Sequence, residues 1–95
     1  MEKVKLQAQY GLYINGQWRN ASDGATYNAE SPADGSHLAV CAQGSREDVE
    51  AASAAAWEAF KTWKKTTPAQ RAALLNKIAD IIDANKEHLA MVESM

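Results

Sequence analysis

The spacing of apolar residues changes its period once, near Gly44, and this change limits the folds that the chain can adopt. Before Gly44, short runs with β propensity alternate with turn residues, as in Thr26 to Glu30 and His37 to Ala42. After Gly44, the apolar residues recur with helical spacing. The sequence therefore predicts an α+β segment, with short antiparallel β-hairpins at about 12–42 and two or three α-helices at about 46–64 and 68–95.

Two turns are specified by local chemistry. The stretch LYINGQW contains Asn15-Gly16, the preferred pair for a type I′ hairpin turn, because both central residues of that turn need φ > 0. The stretch Ser31-Pro32-Ala33-Asp34-Gly35 combines a proline that fixes φ with a glycine that is free to take a positive φ. Nothing on the first hairpin can act as an acid, a nucleophile or a metal ligand. We therefore expect it to have a structural role.

Helix boundaries are also readable. Ser45 and Asp48 have the spacing of a capping box at the start of the first helix. Thr67 is a second candidate N-cap, with proline at the first helical position and Gln70 at the third. Asn85 interrupts the second apolar stripe, and we expect it to end one helix and to cap another. The pattern is still helical at the end of the sequence, and we expect the polypeptide to continue beyond it.

The aromatic residues of the first helix, Trp57, Phe60 and Trp63, share one face. Such a face is more often core, and an exposed binding face is the alternative. Large apolar residues are few in a chain of 95 residues, so the hydrophobic core is thin. We therefore expect the helix faces to rely on contacts that the segment does not contain.

Composition excludes several classes of function. Net charge is −2 and the longest basic run is Lys64-Lys65, which argues against nucleic acid as a partner. No apolar run approaches a membrane span, and the opening stretch MEKVKLQAQY is too polar for a signal peptide. A single cysteine, Cys41, excludes an internal disulfide and fits a reducing compartment, so a cytoplasmic location is expected.

No catalytic, cofactor-binding or metal-ligating residues are predicted. Cys41 lies in an apolar strand, where a small packed side chain is the better interpretation than a nucleophile. His37 and His88 have no spacing that would join them to it. The carboxylates at 47, 48 and 50 fall in the first turn of a helix, where the helix dipole explains them. No phosphate-binding glycine loop and no metal-ligand spacing occurs in the sequence.

Taken together, five stretches resemble the N-terminal segment of the aldehyde dehydrogenase superfamily. They follow one another in the family's order and spacing: Leu12–Trp18, Ser31–Gly35, Arg46–Ala52, Thr67–Ala72 and Glu87–Glu93. The leader at 6–11 is similar to the start of bacterial acetaldehyde dehydrogenases of the short-chain aliphatic type. In the family's turn, asparagine and threonine stand where this chain has Ser31 and Asp34, and these departures are expected to loosen the turn's hydrogen bonds.

This resemblance implies that residues 1–95 are the N-terminal, incomplete part of the family's cofactor-binding domain. Its partner would be the rest of the dehydrogenase chain, in a homo-oligomer that uses NAD or NADP to oxidise an aldehyde to a carboxylic acid. The catalytic cysteine, the glutamate that activates water and the oxyanion-hole asparagine would lie elsewhere, because Cys41 matches no position of the nucleophile motif. The alternative is a free-standing helical interaction module that uses the face of Trp57, Phe60 and Trp63.

Overall fold

A computed structural model of the chain describes residues 5–95. The first four residues of the polar opening stretch, with the apolar Val4, lie outside the described residues. In chain order the secondary-structure elements are β1 (Gln9–Tyr10), β2 (Leu12–Ile14), β3 (Gln17–Arg19), β4 (Thr26–Glu30), β5 (His37–Ala42), α1 (Arg46–Trp63), α2 (Pro68–Ala84) and α3 (Lys86–Ser94). They fall into two compact units, Leu6–Lys61 and Thr62–Met95.

The hairpin of β2 and β3 forms as the sequence predicts. Asn15 and Gly16 have φ values of 54° and 75°, the positive values that a type I′ turn requires. The strands pair antiparallel, with Tyr13 opposite Trp18. Their ring centroids are 4.8 Å apart, so the pair stabilises the hairpin across its two strands.

A second sheet in the same unit has the order β1-β5-β4. β4 runs antiparallel to β5, as expected for a second hairpin, with an irregularity in register between Ala29 and Glu30. β1 was not predicted from the sequence. It pairs in parallel with β5, placing Gln9 opposite Val40 and Tyr10 opposite Cys41. A run of two residues shows no periodicity by which a strand could be recognised, and its partner strand, β5, is distant in the sequence.

The turn that joins β4 and β5 is well hydrogen-bonded. Gly35 has φ = 73°, and its amide donates to the carbonyl of Ser31 at 2.8 Å. The hydroxyl of Ser31 accepts from the amide of Ala33, and the carboxylate of Asp34 accepts from the amide of Ser36 at 2.9 Å. Ser31 and Asp34, which depart from the family's turn, therefore both bond to the backbone two residues further on.

The predicted capping box of Ser45 and Asp48 is present, and the predicted N-cap Thr67 forms a second capping box with Gln70. The amide of Asp48 donates to the hydroxyl of Ser45 at 3.3 Å, and the amide of Ser45 donates to the carboxylate of Asp48 at 2.9 Å. The box of Thr67 and Gln70 has distances of 3.2 Å and 2.8 Å for the two reciprocal bonds. Each box satisfies amides that have no partner inside the helix, so the starts of α1 and α2 are fixed locally.

Asn85 ends α2 and precedes α3, as the sequence indicates, but its side chain does not cap α3. The side-chain amide of Asn85 instead donates to the carbonyl of Ile81 at 2.8 Å. The carbonyl of Ile81 also accepts from the backbone amide of Asn85 at 3.1 Å, so the side chain of Asn85 adds a second hydrogen bond at the end of α2. The last helix ends at Ser94, one residue before the predicted end, with Met95 as its C-cap.

Few side chains are fully buried. The buried apolar residues of the described chain are Ala21 and Ala39, both in the unit Leu6–Lys61. Within the described chain, α2 and α3 contain no buried residue. The thin core that the composition predicts is confirmed, because none of the large side chains among residues 5–95 is fully buried.

Candidate functional site

The residues with nucleophilic or metal-ligating chemistry are not gathered into a site. His37 and Cys41 lie on β5, four positions apart, which corresponds to roughly 13 Å along an extended strand. Cys41 is partly buried beside Tyr10 and Tyr27, its neighbours on the flanking strands. His88 lies on α3. Among residues 5–95, no three His, Cys, Asp or Glu side chains are close enough together to hold a metal ion.

The most strongly organised polar group is the carboxylate of Asp48. It is only 2% exposed, although the sequence suggested an ordinary first-turn acid. The Asp48 carboxylate accepts from the amide of Ser22 at 3.1 Å and from the amide and hydroxyl of Ser45, each at 2.9 Å. The guanidinium of Arg19 completes the cluster at 3.1 Å. Because Arg19 belongs to β3, Ser22 to the following loop and Ser45 to the start of α1, one side chain joins three segments.

These contacts lower the pKa of Asp48. The backbone amide of Ser45 has the largest effect, and burial acts in the opposite direction. The backbone amide of Ser22, the hydroxyl of Ser45 and, last, the charge of Arg19 lower the pKa further, from 3.8 to about 2. The carboxylate is therefore ionised and fully engaged at neutral pH. It acts as a structural link and has no free lone pair or proton to offer a substrate.

Two of the four residues in the Asp48 cluster were predicted to interact from the sequence. The capping-box spacing of Ser45 and Asp48 is a local signal that predicted their reciprocal hydrogen bonds. Arg19 and Ser22 are 29 and 26 residues away from Asp48, and no local pattern marks them. The sequence contains one weak indication of these two partners. A basic residue ends a hairpin strand and is followed by a loop rich in Ser and Asp.

An open groove lies between the hairpin and α1. Its volume is about 510 Å³. One wall is the hairpin tip from Tyr13 to Gly16, and the other is a row of small residues on α1: Ala52, Ala55, Ala56 and Ala59. Alanine leaves room for another backbone to approach α1 closely, so the groove is shaped for a segment of polypeptide more than for a small ligand.

The aromatic residues of α1 are exposed, contrary to the expectation that they form core. Trp57 is 68% exposed, Phe60 46% and Trp63 47%. The rings of Trp57 and Phe60 are in edge-to-face contact, with centroids 6.0 Å apart. Apolar side chains of α2 are similarly exposed, by 44% to 67%: Leu74, Leu75, Ile78, Ile81 and Ile82. Exposed apolar surface on consecutive helices is typical of an interface, and the sequence prediction that these faces need partners agrees with it.

The described part of the chain, residues 5–95, contains no helix that is long and apolar enough to cross a membrane.

Comparison with known proteins agrees with the resemblance seen in the sequence. The aldehyde dehydrogenase family model matches residues 18–95. Among curated proteins, the chain is 40% identical over 92 residues to a long-chain-aldehyde dehydrogenase of an Acinetobacter species, covering 97% of this chain and 18% of that protein.

Solved structures show the same relationship. The chain matches the NAD⁺ complex of an aldehyde dehydrogenase from Bacillus cereus with a TM-score of 0.84 and 38% identity, over 90% of this chain and 18% of that one. A putative aldehyde dehydrogenase from Burkholderia cenocepacia gives 0.87 and 39%, over 93% and 18%. The chain spans a tenth to a fifth of the length of the curated relatives that it matches. It belongs to the aldehyde dehydrogenase family, as an N-terminal segment of that fold.

Proposed function

We propose that this chain is the N-terminal structural segment of an NAD(P)-dependent enzyme that oxidises an aldehyde to a carboxylic acid. One observation carries the proposal: about nine-tenths of the chain superimposes on aldehyde dehydrogenases at 38% to 39% identity. The segment belongs to the cofactor-binding domain of a cytoplasmic homo-oligomer, and its direct partner is the remaining polypeptide of the dehydrogenase.

Within this proposal the segment has a structural role in the dehydrogenase fold and contributes no catalytic group. The nicotinamide cofactor would accept the hydride of the aldehyde when bound, but the described residues do not fit a dinucleotide. The amide of Asp48 donates to the hydroxyl of Ser45, and the amide of Gln70 donates to the hydroxyl of Thr67. At the start of each helix, the capping side chain therefore occupies one of the amides that a phosphate site would need free.

The structural role that we propose for the segment depends on its exposed helix faces. Apolar side chains on α1 and α2 remain half exposed or more at most positions, which costs solvation free energy unless another surface covers them. Packing of the remaining dehydrogenase chain against these faces would remove them from water. The same faces also favour the second candidate, an interaction module that uses Trp57, Phe60 and Trp63, and the experiment below separates the two.

A chimera tests the proposal. The matched segment of the Bacillus cereus aldehyde dehydrogenase is replaced by this chain, and aldehyde-dependent NADH formation is followed at 340 nm. We expect the chimera to be folded and active, and the 95-residue chain alone to form no NADH. The matched controls are chimeras that carry Gly11→Ala or Gly44→Ala. The first should lose folded protein, because a Cβ on Gly11 would lie 2.7 Å from the carbonyl oxygen of Arg19. The second should not, because the nearest atom to a Cβ on Gly44 is a side-chain carbon at 3.9 Å.

A folded chimera that forms no NADH would refute the proposal. So would NADH formation by the 95-residue chain alone, since the segment would then contain chemistry of its own.

A further inference from the structure

The turn between β2 and β3 contains the one asparagine of the sequence that is followed by glycine. The other four asparagines precede alanine or lysine: Asn20, Asn28, Asn76 and Asn85. The side-chain amide of an asparagine can react with the backbone nitrogen of the next residue, because their bonding closes a five-membered ring. Glycine has no Cβ to obstruct that attack. The sequence therefore makes Asn15 the most reactive side-chain amide of the chain.

Asn15 and Gly16 are open to solvent. Both residues are exposed, and they border the groove of about 510 Å³. Among residues 5–95, no atom outside the adjoining residues lies within 4 Å of the position that a Cβ on Gly16 would take. Water and hydroxide ion therefore reach the nitrogen of Gly16, and a ring that includes this nitrogen has space in which to form.

The closed turn nevertheless keeps the two reacting atoms apart. Asn15 has φ = 54°, and the first central residue of a type I′ turn combines such a φ with a ψ of about +30°. At this ψ the nitrogen of Gly16 lies nearly opposite the Cβ of Asn15 across the Cα–C bond. Ring closure needs the nitrogen on the same side as Cβ, which is a rotation of roughly 150° from the turn. The hairpin tip must therefore open before Asn15 can react.

The tip of the hairpin is held less firmly than its base. β2 and β3 form a sheet of two strands, which is marginally stable without further packing. Near the tip, the paired rings of Tyr13 and Trp18 are 60% and 69% exposed, so little packing covers them. At the base, the guanidinium of Arg19 donates to the buried carboxylate of Asp48 at 3.1 Å. We therefore expect the tip to open locally while the base stays in place.

We propose that Asn15 is a deamidation site whose reaction is controlled by opening of the hairpin tip. In the open tip, the nitrogen of Gly16 bonds to Cγ of Asn15, and the bond from Cγ to Nδ2 breaks. The displaced NH₂ group leaves as ammonia with the proton of the Gly16 amide, and a succinimide ring remains. Water then adds to one of the two ring carbonyls. Water is the only co-reactant, so the reaction needs no oxidant, reductant or second protein.

The position of the water attack decides whether the hairpin re-forms. Hydrolysis at the side-chain carbonyl gives aspartate, and Asp-Gly also favours a type I′ turn. Hydrolysis at the backbone carbonyl gives isoaspartate, in which the main chain runs through Cβ and Cγ. The turn then contains one extra backbone carbon, so Tyr13 and Trp18 no longer face each other in register. The isoaspartate product therefore prevents the tip from closing as before.

Peptide mapping by mass spectrometry, after incubation at about 37 °C and about pH 8, tests the proposal. Deamidation raises the mass of the tryptic peptide Leu6–Arg19, because an amide is replaced by an acid, and fragment ions place the change at Asn15. We expect the intact chain to react at least tenfold more slowly than the isolated peptide, since an open state of roughly 10% or less limits the rate. Trp18→Ala should react at least threefold faster than the wild-type chain, because it removes the cross-strand ring contact.

Trp57→Ala is the matched control. Trp57 is 68% exposed, against 69% for Trp18, but it lies on α1 and contacts Phe60. Its replacement should leave the rate at Asn15 within twofold of the wild-type rate. Far-UV circular dichroism checks that both variants retain their helix content.

Equal rates in the intact chain and the isolated peptide would overturn the proposed control by the hairpin, as would equal rates in Trp18→Ala and the wild-type chain. The same conclusion would follow if Trp57→Ala accelerated the reaction as much as Trp18→Ala, since the rate would then report general unfolding. Reaction at Asn20 or Asn28 as fast as at Asn15 would refute the site itself. NADH formation by the chimera described above does not depend on any of these outcomes.

Discussion

Replacement of Asp48 by asparagine tests whether one carboxylate holds β3, the loop after it and α1 together. Asparagine keeps the size of the side chain but removes its charge and turns one acceptor into a donor. The amides of Ser22 and Ser45, which lie at 3.1 Å and 2.9 Å from the carboxylate, would then face an NH₂ group or lose an acceptor. We expect Asp48→Asn to destabilise the unit Leu6–Lys61 at neutral pH.

The pH dependence of the stabilisation by Asp48 follows from its pKa in the folded chain and its pKa in the unfolded chain. With a pKa of about 2 in the folded chain and 3.8 in the unfolded chain, Asp48 is about 9% protonated when folded at pH 3 and about 86% when unfolded. Unfolding at pH 3 therefore takes up about 0.8 proton at this one residue. Since its folded pKa is depressed, the stabilisation is complete at about pH 5 and above, and it is lost as the pH falls through 3.8 toward 2.

Urea unfolding between pH 2 and 6, followed by tryptophan fluorescence at a concentration where the chain is monomeric, measures this slope. The wild-type chain should lose stability between pH 4 and 2 more steeply than Asp48→Asn. Glu47→Gln, which changes an exposed acid in the same helical turn, should keep the wild-type slope. Because the hydroxyl of Ser45 lowers the pKa more than the charge of Arg19 does, Ser45→Ala should raise it further than Arg19→Met. An NMR titration in which the Asp48 carboxyl changes state near pH 3.8 would refute the reasoning.

Two further substitutions test local features in the same assay. Gly11→Ala should destabilise the chain by about 1–3 kcal/mol, because its Cβ would lie 2.7 Å from the carbonyl oxygen of Arg19. Gly44→Ala, which meets nothing closer than 3.9 Å, should be neutral or slightly stabilising, and equal losses in both variants would contradict this. Thr67→Ala should cost about 1 kcal/mol through the lost N-cap of α2. Gln70→Glu keeps the acceptor of the capping box and should cost nothing, so a loss there would show that the box does not act as described.

Features whose partners lie within a few residues were predictable from the sequence. The Asn15-Gly16 turn and the capping boxes of Ser45 with Asp48 and Thr67 with Gln70 each depend on atoms at most three positions apart. Their residue types have few alternative uses, so pattern and structure agree. The same holds for the family resemblance, which depends on the order of such local signals.

Features that depend on distant partners were missed. Asp48 looked like an ordinary first-turn acid, because Arg19 and Ser22 reach it from another part of the chain. β1 was not recognised, because two residues show no periodicity. The aromatic face of α1 was expected to be core, because helical spacing shows which residues share a face and does not show what covers that face.

The short first strand is completed by a strand that is synthesised well after it. Gln9 pairs with Val40, which is 31 residues further along the chain. At translation rates of 5–20 residues per second, the ribosome needs roughly 2–6 s to add them, whereas a hairpin such as β2–β3 forms in about 1–10 μs. During nascent-chain growth, β1 therefore remains without its partner strand for about a million times longer than the β2–β3 hairpin needs to close. β1 is therefore completed only after the hairpin that follows it in the sequence has had time to form.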